Sequence, residues 1–145
     1  MFRILSGLFL ILALNLTISA EEEAHFFRGR HVIASYLECD HDALVDIKTL
    51  SEKMNEAARA TGATVINSAD FVFDPQGYAM VLLLSESHAS IHTYPEYNAC
   101  FIDIFTCGEQ CTPERFDEMM QEYLKPKKVS SQVILRHEHT EPKNQ

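Results

Sequence analysis

The chain has 145 residues, 46% of them hydrophobic, which suits one folded domain and is too apolar for a disordered chain. Its formal net charge of −9 excludes an ordinary nucleic-acid partner, because phosphates are held by clustered Lys and Arg. The same charge is compatible with a cationic small substrate.

Met1-Phe2-Arg3, the apolar run Ile4 to Ile18, and Ser19-Ala20 before Glu21-Glu22-Glu23 follow the order of a secretory signal peptide. Residues 1–20 therefore read as a signal peptide or membrane anchor, although the run is short for a span of ~20 apolar residues. Losing them removes only Arg3 and leaves a net charge of −10.

His31 to Leu37 has the composition of a buried strand. Asp40 and Asp42 offer helix N-caps, and from Ala43 to Thr61 the residues Ile47, Leu50, Met54, Ala57, Ala58 and Thr61 recur at helical spacing until Gly62 stops the run. Thr64 to Phe73 is β-rich, Asp74-Pro75-Gln76-Gly77 reads as a turn, and Tyr78 to Leu84 as a central strand. Two more strands follow, Ala89 to Thr93 and Ala99 to Thr106, separated by a turn at Pro95. Pro113 opens a second helix with Phe116, Met119, Met120, Tyr123 and Leu124 on one face. Val129 to Leu135 is a last strand, and residues 137–145 form a polar tail. Consecutive strands with short turns predict an α+β fold: a two-layer sandwich, mainly antiparallel, with two helices on one face.

Reactive side chains crowd into Ser85-Glu86-Ser87-His88-Ala89-Ser90-Ile91-His92-Thr93-Tyr94-Pro95-Glu96, after the most apolar run outside the leader. The cluster suits an active site, and on composition alone it equally suits a polar hairpin rim. A metal could draw on His88 and His92 with Cys107 and Cys111, but two strand residues four apart lie roughly 13 Å from each other, too far for one zinc. No metal is therefore expected. A Cys107–His92 nucleophile pair is a second option, without a protease-type signature around Phe105-Thr106-Cys107-Gly108. The four cysteines, Cys39, Cys100, Cys107 and Cys111, are an even count but contain no Cys-x-x-Cys pair, so their spacing does not settle whether any form disulfides.

The segment Leu84 to Gly108, LSESHASIHTYPEYNACFIDIFTCG, resembles the signature of the small prokaryotic S-adenosylmethionine decarboxylase proenzymes. Glu86, Ser87, His88, Ser90, Ile91, His92, Thr93, Pro95, Glu96, Ala99, Asp103, Phe105, Thr106, Cys107 and Gly108 all match that pattern. The likeness extends through Gly29-Arg30-His31, Cys39-Asp40, Ala57-Ala58-Arg59, Gly62-Ala63-Thr64, Pro75-Gln76-Gly77 and Lys128-Val129-Ser130, about residues 29 to 136.

The resemblance implies self-cleavage between Glu86 and Ser87. Ser87 Oγ attacks the Glu86 carbonyl to give an ester, and loss of the Ser87 α-proton leaves dehydroalanine, which hydrolyses to a pyruvoyl cofactor and ammonia. The family gives the histidine at the His92 position a part in this processing, as a general base. The pyruvoyl ketone withdraws electrons from a condensed substrate amine as CO₂ leaves. The cysteine at the Cys107 position reprotonates the product, which requires a free thiol. Phe73, Tyr94 and Glu96 would flank a sulfonium substrate, since aromatic faces and carboxylates stabilise positive charge; Phe73 equally suits a core position. His88 follows the cleavage point and reads as a residue that orients backbone. The resemblance also implies a homodimer of processed αβ units.

Tyr94 stands where the family usually has Trp, and Gly77-Tyr78-Ala79-Met80 replaces its Gly-Val-Ser-Gly. These changes leave the cleavage residues intact and fall near the substrate. The expected function is decarboxylation of S-adenosylmethionine for spermidine synthesis. The alternatives are another cationic amino acid, ornithine or arginine, or an exported, non-catalytic relative retained for binding. The leader points to export or anchoring, whereas S-adenosylmethionine is a cytoplasmic metabolite.

Overall fold

The computed structural model of the protein describes residues 28–107 and 110–137, so the expected leader at 1–20 and the tail beyond 137 lie outside the described residues. One sheet is built from β1 (Arg28–Leu37), β2 (Val65–Val72), β3 (Tyr78–Leu84), β4 (Ser87–Tyr94), β5 (Ala99–Thr106) and β6 (Lys128–His137). The strand order is β2-β3-β4-β5-β1-β6, and each neighbouring pair is antiparallel. Three helices, α1 (His41–Val45), α2 (Ile47–Ala60) and α3 (Glu114–Leu124), complete the second layer of the α+β sandwich.

Alternation along the strands decides which face the helices cover. Met80, Leu82 and Leu84 on β3, Ala89 and Ile91 on β4, and Cys100, Ile102 and Ile104 on β5 are buried in one core. Leu50, Met54, Ala57 and Ala58 from α2 and Phe116, Met120 and Leu124 from α3 close that core from the other side. Each large side chain so buried contributes about 1.5–3 kcal/mol. The sheet's opposite face carries His31, Ile33, His88, Ser90, His92 and Asp103, none of them fully buried.

The helical run expected from Ala43 to Thr61 is broken at Asp46, so the described residues hold three α-helices where two were expected. Asp46 leaves the helical region (φ −77°, ψ 76°), and its carboxylate accepts hydrogen bonds from the Thr49 amide at 3.1 Å and Thr49 Oγ1 at 2.7 Å. A short acidic side chain competes for backbone donors and starts a new helix inside a periodic run. Asp40 caps α1 as expected, accepting from the Asp42 amide at 3.1 Å, while Asp42 lies inside the first turn. The Pro95 turn is a single 3-10 turn, Pro95–Tyr97.

One polar contact anchors this core. Buried Tyr36 donates its hydroxyl to the Asp117 carboxylate and backbone carbonyl of α3, and burial, then the Asp117 carboxylate, push its pKa upward. On the open face, Gly29 admits the Phe105 ring, which a Cβ at that position would strike. Leu50→Ala, at a fully buried position on α2, is expected to lower unfolding free energy by about 2–5 kcal/mol in a denaturant titration.

Candidate active site

The two-residue link between β3 and β4, Ser85-Glu86, is tied down at several points. Thr64 accepts from the Ser85 amide at 3.0 Å, and its own amide donates to Glu86 Oε2 at 2.9 Å. Burial works to raise the Glu86 carboxyl, but hydrogen bonds from Ser85 and Thr64 outweigh it and hold it below the ordinary carboxylate value. The Glu86 carbonyl oxygen accepts a bond from the Cys107 amide at 3.1 Å. The Glu86–Ser87 peptide bond thus has a fixed donor at its carbonyl, because β4 and β5 pair in the register Ser87↔Thr106.

Beside it, Ser87 Oγ lies 3.0 Å from His88 Nδ1. His88 Nε2 is 3.4 Å from Asp103 Oδ2, and His31 Nε2 lies at the same 3.4 Å from that oxygen. Asp103 Oδ1 accepts a hydrogen bond from Ser90 Oγ. Phe105 packs against both imidazoles, with ring centroids at 5.5 and 6.0 Å, and the Arg136 guanidinium sits 4.1 Å over the same ring. His31, Asp103 and Arg136 come from β1, β5 and β6, so only sheet pairing unites them with β4.

A second cluster sits at the other end of β4. The His92 imidazole is stacked between the Phe73 ring at 5.2 Å and the Tyr94 ring at 4.7 Å, and Phe101 meets Tyr94 edge-on at 5.6 Å. Glu96 is exposed on the 3-10 turn. In one protomer, therefore, Phe73 and Tyr94 flank His92 rather than an open slot.

The structure brings Glu86, Ser87, His88 and Cys107 together and leaves His92, Phe73, Tyr94 and Glu96 apart from them. Five residue steps along β4 separate Ser87 from His92, roughly 16 Å. Within one chain the Cys107–His92 pair does not form, since His92 is opposite Phe101 in the ladder and Cys107 lies six residues beyond it. The His88–His92–Cys107–Cys111 metal set fails likewise. The group whose donor atoms do converge, within 4.8 Å of one another, is His31, His88 and Asp103, suited in kind to a transition metal. Sequence reading gave His31 and Asp103 no role. The available signal was parity, since polar Asp103 interrupts Phe101 and Phe105 on one side of β5 while Ile102 and Ile104 fill the other.

A family model described as S-adenosylmethionine decarboxylase matches residues 30–137. The chain belongs to the S-adenosylmethionine decarboxylase family. It is 40% identical over 110 residues to the S-adenosylmethionine decarboxylase proenzyme of Thermotoga maritima, covering 76% of this chain and 82% of that one. It is 41% identical over 108 residues to the proenzyme of Methanococcus maripaludis strain C5, covering 74% and 88%. The crystal structure of the adenosylmethionine decarboxylase from Aquifex aeolicus VF5 superposes with a TM-score of 0.72 at 32% identity, covering 81% of this chain and 97% of that one.

The cysteines of this family member separate by exposure. Cys107 is exposed and Cys111 intermediate, whereas Cys39 and Cys100 are buried, and all are free thiols. The hydrogen bond from Cys39, then burial, push the Cys100 thiol upward; burial, then the Glu86 charge, raise Cys111. Brief alkylation of the native protein is expected to label Cys107 first, with Cys39 and Cys100 reacting only after denaturation, as read by peptide mass spectrometry.

Proposed function

We propose that the protein is a self-processing decarboxylase of S-adenosylmethionine, cleaving itself between Glu86 and Ser87 and forming a pyruvoyl cofactor from Ser87. The observation that carries this reading is the seating of one peptide bond: the Cys107 amide is 3.1 Å from the Glu86 carbonyl oxygen, and the adjoining Ser87 hydroxyl is 3.0 Å from an imidazole nitrogen. An amide aimed at a carbonyl stabilises the charge that develops when the carbon is attacked. A hydroxyl beside an imidazole is the attacking group such a step needs.

The residues around Ser87 fit a pyruvoyl group. Thr106, paired with Ser87 across the ladder, carries a buried hydroxyl without a hydrogen-bond partner among the described residues. Cys107 follows it with an exposed thiol. The pyruvoyl group supplies an electron sink for loss of CO₂ from a substrate amine. Cys107 holds the proton returned to the product, and Phe73, Tyr94 and Glu96 offer aromatic faces and a carboxylate to the sulfonium. The product is an aminopropyl donor for spermidine synthesis.

Because Ser87 and His92 lie at opposite ends of β4, the reading includes a homodimer in which two open sheet faces meet. Phe71, Val81, Leu83, Phe101 and Ile134 are exposed large hydrophobics, and ladder register puts them on that face. An uncovered apolar face of this extent is a surface for association. A two-fold axis through it can set the His92, Phe73 and Tyr94 cluster of one copy against the Ser87 cluster of the other. The partner subunit's His92 is then placed to remove the Ser87 α-proton.

Intact-mass analysis is expected to find one chain ending at Glu86 and another beginning with a pyruvoyl group at position 87. Ser87→Ala should remain a single inactive chain, and cleavage in that variant refutes the reading. CO₂ release should be seen with S-adenosylmethionine; release from ornithine or arginine alone would reassign the substrate.

Cys107→Ala separates backbone from thiol. Its amide remains beside the Glu86 carbonyl, so self-cleavage is expected to continue. Turnover should fall by about 10²–10⁴-fold for want of the proton donor, measured as product formed per cleaved chain.

A further inference from the structure

We propose that His88 is the base that takes the Ser87 Oγ proton in the first step of self-cleavage, with Asp103 as its positioning residue. This rests on the self-processing reading above, and it assigns a chemical role to a residue read from the sequence only as one that orients backbone. The geometry has three parts. His88 Nδ1 is 3.0 Å from Ser87 Oγ, within proton-transfer reach. The far nitrogen, Nε2, faces Asp103 Oδ2 at 3.4 Å, so the carboxylate favours the tautomer with its proton on Nε2 and leaves Nδ1 free to accept. Asp103 is itself held by Ser90 Oγ on one oxygen and faced by His31 on the other. His92 has none of these relations to Ser87 within the chain.

The step balances without a further reactant. Ser87 Oγ forms a bond to the Glu86 carbonyl carbon as its proton passes to His88 Nδ1. The carbonyl electron pair moves onto the oxygen held by the Cys107 amide. On collapse, the carbon–nitrogen bond breaks, the Ser87 nitrogen takes the proton back from His88, and an ester with a free amine remains. Removal of the Ser87 α-proton is a separate step, and it is the one left to the partner subunit's His92.

The charged and titratable groups around His88 are His31 from β1, its ring centroid 6.1 Å away, Asp103 from β5 at 3.4 Å, and Arg136 from β6 on the Phe105 ring that also packs against His88. Asp103 is the carboxylate in contact with the ring and holds it in place.

The test follows full-length precursor, pulse-labelled in cell-free translation, with and without hydroxylamine, which cuts an ester but not an amide. His88→Ala and the shape-conserving His88→Gln are expected to slow scission more than about tenfold and to hold no hydroxylamine-sensitive bond. His92→Ala should accumulate that bond. Asp103→Asn should slow scission, while Asp103→Glu, which keeps a carboxylate, should recover part of the rate, a rescue that mere loss of structure does not produce. Scission slowed less than about tenfold in both His88 variants, a hydroxylamine-sensitive ester in either, or scission no faster in Asp103→Glu than in Asp103→Asn overturns the assignment. If wild type is never cut, the self-processing reading falls and this one with it; if wild type is cut and the His88 variants are cut as fast, only this one falls.

Discussion

The register between β4 and β5 governs what this protein can do. Pairing Ser87 with Thr106 puts the Cys107 amide under the Glu86 carbonyl, pairing His88 with Phe105 gives the imidazole a wall, and pairing Ser90 with Asp103 brings the carboxylate to the same end. A slip of one residue would reverse every side chain between faces. It would put Ile102 and Ile104 in water and Asp103 in the core. The hydrophobic pattern therefore selects the register, and the register assembles the site.

The helices contribute by covering one face only. Polar and reactive groups on β4 and β5 survive there because α2 and α3 take the apolar parity and leave the other exposed. That asymmetry has a consequence, since the open face also carries exposed apolar side chains, Val81, Leu83 and Phe101 among them. A face with both chemistry and hydrophobic area is suited to being covered by a second copy. Distance makes the same point, because the two reactive clusters of β4 stand at opposite ends of one strand.

Similarity and geometry support each other through different residues. The family match spans residues 30–137 and so includes the segment around Glu86 and Ser87, and relatives at 40% and 41% identity agree with it. The hydrogen bonds at Glu86, from Thr64 on its carboxylate and Cys107 on its carbonyl, give a physical reason for that segment's place at a tight link between two core strands. Tyr94, Ala79 and Met80 depart from the family pattern; Tyr94 stacks on His92 and Met80 is buried in the core.

Much of the fold was legible in the chain. Apolar runs and β-rich composition located the six strands of the described residues, period-3.6 spacing gave the buried faces of α2 and α3, and Asp40 was legible as a cap, because side-chain burial and capping are local consequences of backbone geometry. The break at Asp46 was not legible, since a capping aspartate and a solvent-facing helical aspartate look alike until the Thr49 contacts form. The resemblance singled out Ser87, His92 and Cys107, and residue order placed Glu86 beside Ser87. Order along the chain could not decide that His92 stands roughly 16 Å from Ser87, nor that His31 and Asp103 converge on His88. Those relations cross strands 57 and 15 residues away from His88 in the sequence, and only the sheet's pairing, a long-range choice made by the whole core, determines which of them touch.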